Sequence, residues 1–305
     1  MDSGGIVFID TEVDPQGKKI LDLGAIKADG REFHKGSLSA FSEFISSCEY
    51  ICGHNIFKHD LKYLSKIITD CGAKYYIDTL YLSPLLFPKK PYHRLVKDDK
   101  LKADELNNPL NDAKKARDLF NDEVTAFKSL DGRLQQIYAE LLSGAIEFKD
   151  FFRYIGCQKS KGNAANLICD KFDGMICANA PIEKLVGKYP VELAYSLALV
   201  GVIKYDSITP PWVLKNYPRV ENTIHFLRNR KCQSCTYCNE FLDETKALGR
   251  FFHFDGFRCY DGEPLQHSAV RAVVEGKSIL VVFPTGGGKS ITFQLPALMA
   301  GANGV

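Results

Sequence analysis

Little in this sequence points to a membrane or to export. No apolar run reaches membrane-spanning length, and the N-terminus lacks the basic and apolar regions of a signal peptide. Charge of one sign is not in excess. The formal net charge is +2, so any nucleic-acid surface has to be a local patch and not a global field. Without an export signal, the ten cysteines read as reduced thiols or a metal site and not as a disulfide framework. The expected compartment is the cytoplasm, with no membrane partner. None of these features encodes an oligomeric state.

What is present is ordinary in bulk and informative in detail. Hydrophobic content of 45% and charged content of 25% suit a globular protein, and 305 residues leave room for two domains. The first informative stretch is Ile6, Val7, Phe8 and Ile9, an apolar and mostly β-branched run that reads as a buried strand. It delivers Asp10 and Glu12, which the two-residue period of a strand puts on one face. Two like charges there repel and resist burial unless a cation lies between them. The pair is a candidate metal site.

Residues 20–26 and 31–36 read as a hairpin about the Ala28-Asp29-Gly30 turn, beside the first strand. Residues 38–48 have helical spacing, and residues 50–55 form a short strand ending in a tight turn. A helix over residues 57–64 carries Asp60 in its first turns. Residues 75–82 give another strand and turn, with Asp78 and Thr79 as a helix cap. A Lys-rich loop over residues 88–104 contains His93, and a long helix over residues 111–128 has Asp112 near its N-terminus.

Three strings in this order, FIDTE, GHNIFKHDLKYL and NDAKKARDLF, resemble the three motifs of the DEDD exonucleases, the proofreading-subunit type within the ribonuclease H-like fold. The resemblance covers about the first 130 residues. It implies that Asp10, Glu12, Asp60 and Asp112 hold two Mg²⁺ or Mn²⁺ ions and that the substrate is a nucleic acid cut from its 3′ end. The residue types suit that chemistry. Two divalent ions about 4 Å apart activate a water and neutralise the departing oxygen, and hard carboxylate oxygens without thiolates suit Mg²⁺.

One departure from the pattern concerns the histidine that assists removal of the water's proton. In the His-type subfamily it lies five residues before the last Asp, where this chain has Asn107. His93 lies five residues before Asp98, but the helix signal follows Asp112. The expectation is a lengthened loop from which His93 folds back to the metals. The other reading of His93 is a solvated loop residue. His54 reads as a satisfied strand-end histidine, and Asp98 is a less favoured fourth carboxylate. Asn55, Lys89, Lys90, Arg94 and Lys97 are the candidate nucleic-acid contacts.

From residue 131 to 230 amphipathic patterns recur over 134–142, 146–155, 165–175, 181–202 and 213–228, which reads as a mostly helical accessory domain. No catalytic motif, internal repeat or low-complexity tract occurs there. Residues 231–262 open on Cys232, Cys235 and Cys238, two overlapping C-x₂-C steps that suggest a zinc knuckle, with Cys259 or His253 as fourth ligand. A cysteine-rich linker without metal is the other reading.

Residues 263–305 carry the second strong signal. Residues 278–283 read as a buried strand, followed by a glycine turn and a helix over 291–299. FPTGGGKS resembles motif I of superfamily-two helicases, and FRCYDGEPLQHSAV resembles the adenine-reading motif of the RecQ family. The resemblance implies ATP bound by Gln266, Thr285, Gly286, Gly287, Gly288, Lys289 and Ser290. Glycines let backbone N–H groups close on phosphate, while Lys289 adds charge and Ser290 a hydroxyl for Mg²⁺. Val305 follows within about one helix, leaving no residues for a Walker B strand, arginine fingers or a second motor domain. The expectation is a helicase segment that neither hydrolyses ATP productively nor unwinds DNA alone, with a tail that is disordered or packed opportunistically.

The expected fold is α/β: a ribonuclease H-like mixed sheet with flanking helices, then a mostly helical domain and a truncated P-loop segment. The expected activity is a 3′–5′ exonuclease on DNA 3′ ends, single-stranded by preference, joined to a RecQ-like helicase of repair, recombination or defence against foreign DNA. A degenerate fold that only binds DNA ends or a partner, and an exoribonuclease, are the alternatives.

Overall fold

The computed structural model describes residues 5–17, 19–95, 108–159, 162–202 and 209–300. The chain divides into two compact units, residues 1–87 with 92–162 and residues 88–91 with 163–305.

The first unit is built on a five-stranded mixed sheet. Its strands are β1 (Gly5–Val13), β2 (Ile20–Lys27), β3 (Glu32–His34), β4 (Cys48–Gly53) and β5 (Tyr75–Asp78), in the order β3-β2-β1-β4-β5. β2 pairs antiparallel with β1 and β3, whereas β4 pairs parallel with β1 on one side and with β5 on the other. Parallel pairing needs a crossover, and helices supply it. α1 (Leu38–Ile45) leads from β3 to β4, and α2 (Leu61–Asp70) from β4 to β5.

Alternation along β1 divides its side chains between two layers. Val7 and Ile9 join a core with Leu23, Phe41, Ile51, Leu64 and Ile68, under α1 and α2. Phe8 faces the other way, and its ring meets Phe120 at 5.6 Å. Phe120 belongs to α4 (Pro109–Ser129), which follows α3 (Thr79–Leu86) and covers that second face. Full burial of Val7, Ile9 and Phe8 is worth about 1.5–3 kcal/mol each and fixes the register of β1. Asp10 and Glu12 continue the Phe8 face and so emerge beneath α4. α5 (Gly132–Leu142) and α6 (Lys149–Tyr154) also belong to this unit. The Asp150 carboxylate of α6 accepts the Tyr76 N–H of edge strand β5 at 3.0 Å, one way of closing a sheet edge.

In the second unit, α7 (Ala164–Lys171), α8 (Ile182–Lys188), α9 (Pro190–Val200), α10 (Pro211–Asn216) and α11 (Arg219–Ile224) form the helical part, and a π turn over His225–Asn229 ends α11. The patterns over 181–202 and 213–228 each divide into two helices because Pro190 and Pro218 lack the N–H that would continue the preceding helix. α12 (Thr236–Phe241), α13 (Glu244–Phe252), α14 (Leu265–Val274) and α15 (Lys289–Met299) follow. Ala247, Leu248, Val270, Leu295 and Met299 bring α13, α14 and α15 into one small core. Residues 278–283 differ from the sequence expectation. They pair with no strand among the described residues, and Leu280 and Val282 stand exposed, as an apolar run must when no neighbour covers it. No helix among the described residues is long and apolar enough to cross a membrane.

Candidate active site

Asp10, Glu12 and Asp112 converge. One carboxylate oxygen from each lies within 4.8 Å of the others, and all three residues are half-buried. Two come from the end of β1 and the third from the first turn of α4. Asn108 caps that helix, its side chain accepting the Asn111 N–H at 3.2 Å, and Pro109 starts it. A carboxylate in a first turn is favoured by the exposed N–H groups and dipole of a 21-residue helix. The close approach of α4 depends on Gly24 of β2, the register partner of Asp10: a Cβ there would overlap the Pro109 carbonyl and the Leu110 nitrogen.

Asp60 is not one of this trio. It immediately precedes α2 and is 1% exposed. Its Oδ1 accepts the Thr11 hydroxyl at 2.7 Å, while Oδ2 is buried without a hydrogen-bond partner. Thr11 lies between Asp10 and Glu12 and faces the opposite side of the strand, so Asp60 adjoins the trio through β1 itself.

Asp78 organises the turn that delivers Asp60. Fully buried at the end of β5, it accepts N–H groups from Asn55 at 2.7 Å, Phe57 at 3.2 Å and Leu80 at 3.0 Å. Asn55 is left-handed, with φ of 66°, which a short polar side chain tolerates. Burial pushes the Asp78 carboxyl up to about 7, against the pull of the Phe57, Asn55 and Leu80 N–H groups, and the charge of Asp60 adds to the rise.

His93 is 5% exposed, so it is no solvated loop residue. Its Nδ1 lies 2.8 Å from the Ser83 hydroxyl of α3. Beside it, His54 bonds through Nδ1 to the Thr79 hydroxyl at 2.9 Å and is depressed to about 4 by burial and by the neighbouring His93. A third histidine, for which the sequence analysis proposes no role, stands beside Asp60. His59 Nδ1 is 3.7 Å from Asp60 Oδ1, and the Asp60 contact, with the charges of Asp60 and Glu12, raises its pKa. Adjacency to Asp60 in GHNIFKHD was the available signal. Lys89, Lys90 and Arg94 are exposed, while Lys97, Asp98 and Asn107 lie outside the described residues.

In the second unit, Cys232, Cys235 and Cys238 meet Cys177, with all four sulfurs within 4.8 Å of one another. Cys259 and His253 are exposed and stand outside this cluster. Backbone N–H groups of Ser234 and Cys235 pull the Cys232 thiol down to about 6, while burial pushes Cys238 up.

The glycine turn borders a cleft of about 560 Å³ lined by His253, Phe254, Arg258, Gln266, Gly286 and Gly288. Gln266 is buried and bridges two loops: its Oε1 accepts the Arg258 N–H at 2.9 Å, and its Nε2 donates to Gly288 O at 3.0 Å. Gly288 has φ of 70° and would meet that amide with any Cβ, so glycine is required. Lys289 Nζ donates to Phe283 O at 3.1 Å across the turn, while Thr285 and Ser290 are exposed.

Residues 263–304 match the DEAD/DEAH box helicase family model. A 55-residue stretch is 50% identical to ATP-dependent DNA helicase Q5 of Rattus norvegicus, covering 18% of this chain and 5% of the rat protein. Another, of 54 residues, is 46% identical to ATP-dependent DNA helicase RecQ of Synechocystis, covering 18% of this chain and 10% of that helicase. ATP-dependent helicase SGS1 of Saccharomyces cerevisiae is 46% identical over 52 residues, 17% of this chain and 3% of its own length. The chain thus spans a tenth or less of these relatives, and its C-terminal segment is RecQ-like. No solved structure gives a significant match.

Proposed function

We propose that the first unit is a two-metal 3′–5′ exonuclease acting on DNA 3′ ends, joined to a RecQ-like helicase segment, and that the whole serves repair, recombination or defence against foreign DNA. The observation that carries this reading is the convergence of Asp10, Glu12 and Asp112 within 4.8 Å on one face of a mixed sheet. Three hard oxygen donors fit Mg²⁺ or Mn²⁺, and Asp60, bonded to Thr11 on the opposite face of β1 with its buried Oδ2 unpartnered, is the fourth carboxylate of the proposed set. Bound there, the ions would supply an activated water and neutralise the departing 3′ oxygen.

The chain's own residues hold that arrangement. Asp112 lies on the rigid first turn of α4, and Asp60 is fixed by Thr11 and by the turn that Asp78 pins. Removal of the water's proton falls to a histidine within hydrogen-bond reach, directly or through one water. His93 is the candidate from chain order, and His59 the one that the proximity of Asp60 and Glu12 favours. The bond between His93 and Ser83 favours a second reading, a degenerate fold that holds a DNA end without cutting it. ATP would occupy the 560 Å³ cleft at the glycine turn, with DNA as the partner of the whole protein.

Digestion of 5′-labelled DNA and RNA oligonucleotides with Mg²⁺, Mn²⁺ or chelator tests the proposal. Shortening of DNA from its 3′ end, dependent on metal, is expected. Binding without shortening supports the degenerate reading, and preference for RNA supports an exoribonuclease.

A further inference from the structure

We propose that Cys177, Cys232, Cys235 and Cys238 form a tetrathiolate zinc site that ties the turn after α7 to the start of α12. Sulfurs at about 2.3 Å from a tetrahedral ion stand roughly 3.8 Å from one another, and these four already lie within 4.8 Å. Four soft thiolates select zinc over the hard ions that carboxylates prefer.

The cluster is held by bonds that do not depend on a metal. The Cys177 N–H donates to Leu227 O at 2.8 Å. Arg228 donates to Met175 O at 3.2 Å and to Val200 O at 2.9 Å, so the turn before Cys177 and the end of α9 are both fastened to the π turn. The three-cysteine loop folds back on itself with N–H groups aimed at sulfur: Cys238 to Cys235 Sγ at 3.3 Å and Cys232 to Cys238 Sγ at 3.4 Å. Donors of this kind stabilise thiolates and orient them as ligands. Leu242 and the stacked pair Tyr237 and Phe241 pack against the cysteines.

The consequence is a covalent-like clip between residues 58 apart in sequence, Cys177 and Cys235. Metal affinity becomes folding free energy for the segment that leads into the RecQ-like helices.

The test uses the whole 305-residue sequence as one chain, purified without added zinc. Elemental analysis is expected to give close to one zinc per chain. Alkylation mapped by mass spectrometry is expected to find Cys169 and Cys259 reactive at once, with Cys177, Cys232, Cys235 and Cys238 becoming reactive together on chelation. Cys177→Ser is expected to lose the ion and Cys259→Ser to keep it, and the wild-type mapping decides the matter if Cys177→Ser fails to fold. Zinc below about a tenth of an equivalent overturns the proposal, as do iron in its place, a disulfide within the four, or a Cys177 that alkylates while zinc is retained.

Discussion

Gly24 faces Asp10 across the β1–β2 ladder, and the first turn of α4 rests directly on Gly24. That contact sets the distance between Asp10 and Asp112. Gly24→Ala places a methyl against backbone atoms that cannot rotate away. We expect a loss of stability of about 3 kcal/mol or more, read by urea unfolding, and a collapse of nuclease activity in whatever folded protein remains. Wild-type behaviour in both would mean that α4 can retreat at no cost.

Asp10→Ala should abolish digestion and raise the melting temperature in chelator, because it removes one of three carboxylates that repel one another without metal. Thermal melts with and without Mg²⁺ check this. The variant should gain less than wild type from added Mg²⁺.

His54 and Asp78 give opposite pH dependences. His54 is depressed to about 4, so between pH 4 and 6.5 the unfolded chain binds the extra proton, and the His54 contribution to stability rises with pH and is lost as pH falls. Asp78 is raised to about 7, so between pH 3.8 and 7 the folded chain binds the extra proton, and its contribution falls as pH rises. Each amounts to at most about 3–4 kcal/mol by the usual value of a pKa unit. His54→Gln should therefore steepen the loss of stability from pH 4 to 7 relative to wild type, and Asp78→Asn should steepen the gain. Denaturant midpoints across that range measure both slopes, and parallel profiles for all three proteins would remove the assignment.

The two candidate bases separate by substitution. A positioned base contributes about 10² to 10⁴ in rate. If His59 serves, His59→Ala should lower the rate by that factor with little change in DNA affinity, whereas His93→Ala should act mainly on stability through the lost Ser83 contact. Reversing the charge of the exposed Lys89 and Lys90 should instead weaken binding and flatten its salt dependence, since fewer counterions are released.

How much of this was legible in the sequence follows from the range of each signal. Strand alternation is local, so β1, the β2–β3 hairpin and the shared face of Asp10 and Glu12 could be read from residues 5–34, and the cap Asp78 sits where helix-start chemistry puts it. Cys177 could not be read, because a lone cysteine 58 residues before Cys235 carries no spacing signal. Neither could the burial of His93, which depends on packing against Ser83 and His54 and not on the polarity of its own loop. Residues 278–283 show the converse: the strand pattern is present, but pairing depends on a neighbour, and none of the described strands provides one.

The nuclease assignment is tested most directly by one comparison, 5′-labelled single-stranded DNA incubated with Mn²⁺ and either the wild-type chain or Asp112→Ala purified identically. A ladder of products shortened from the 3′ end is expected with the wild type and intact DNA with the variant. Equal ladders from both proteins, or no ladder from the wild type under any divalent ion, would contradict that assignment.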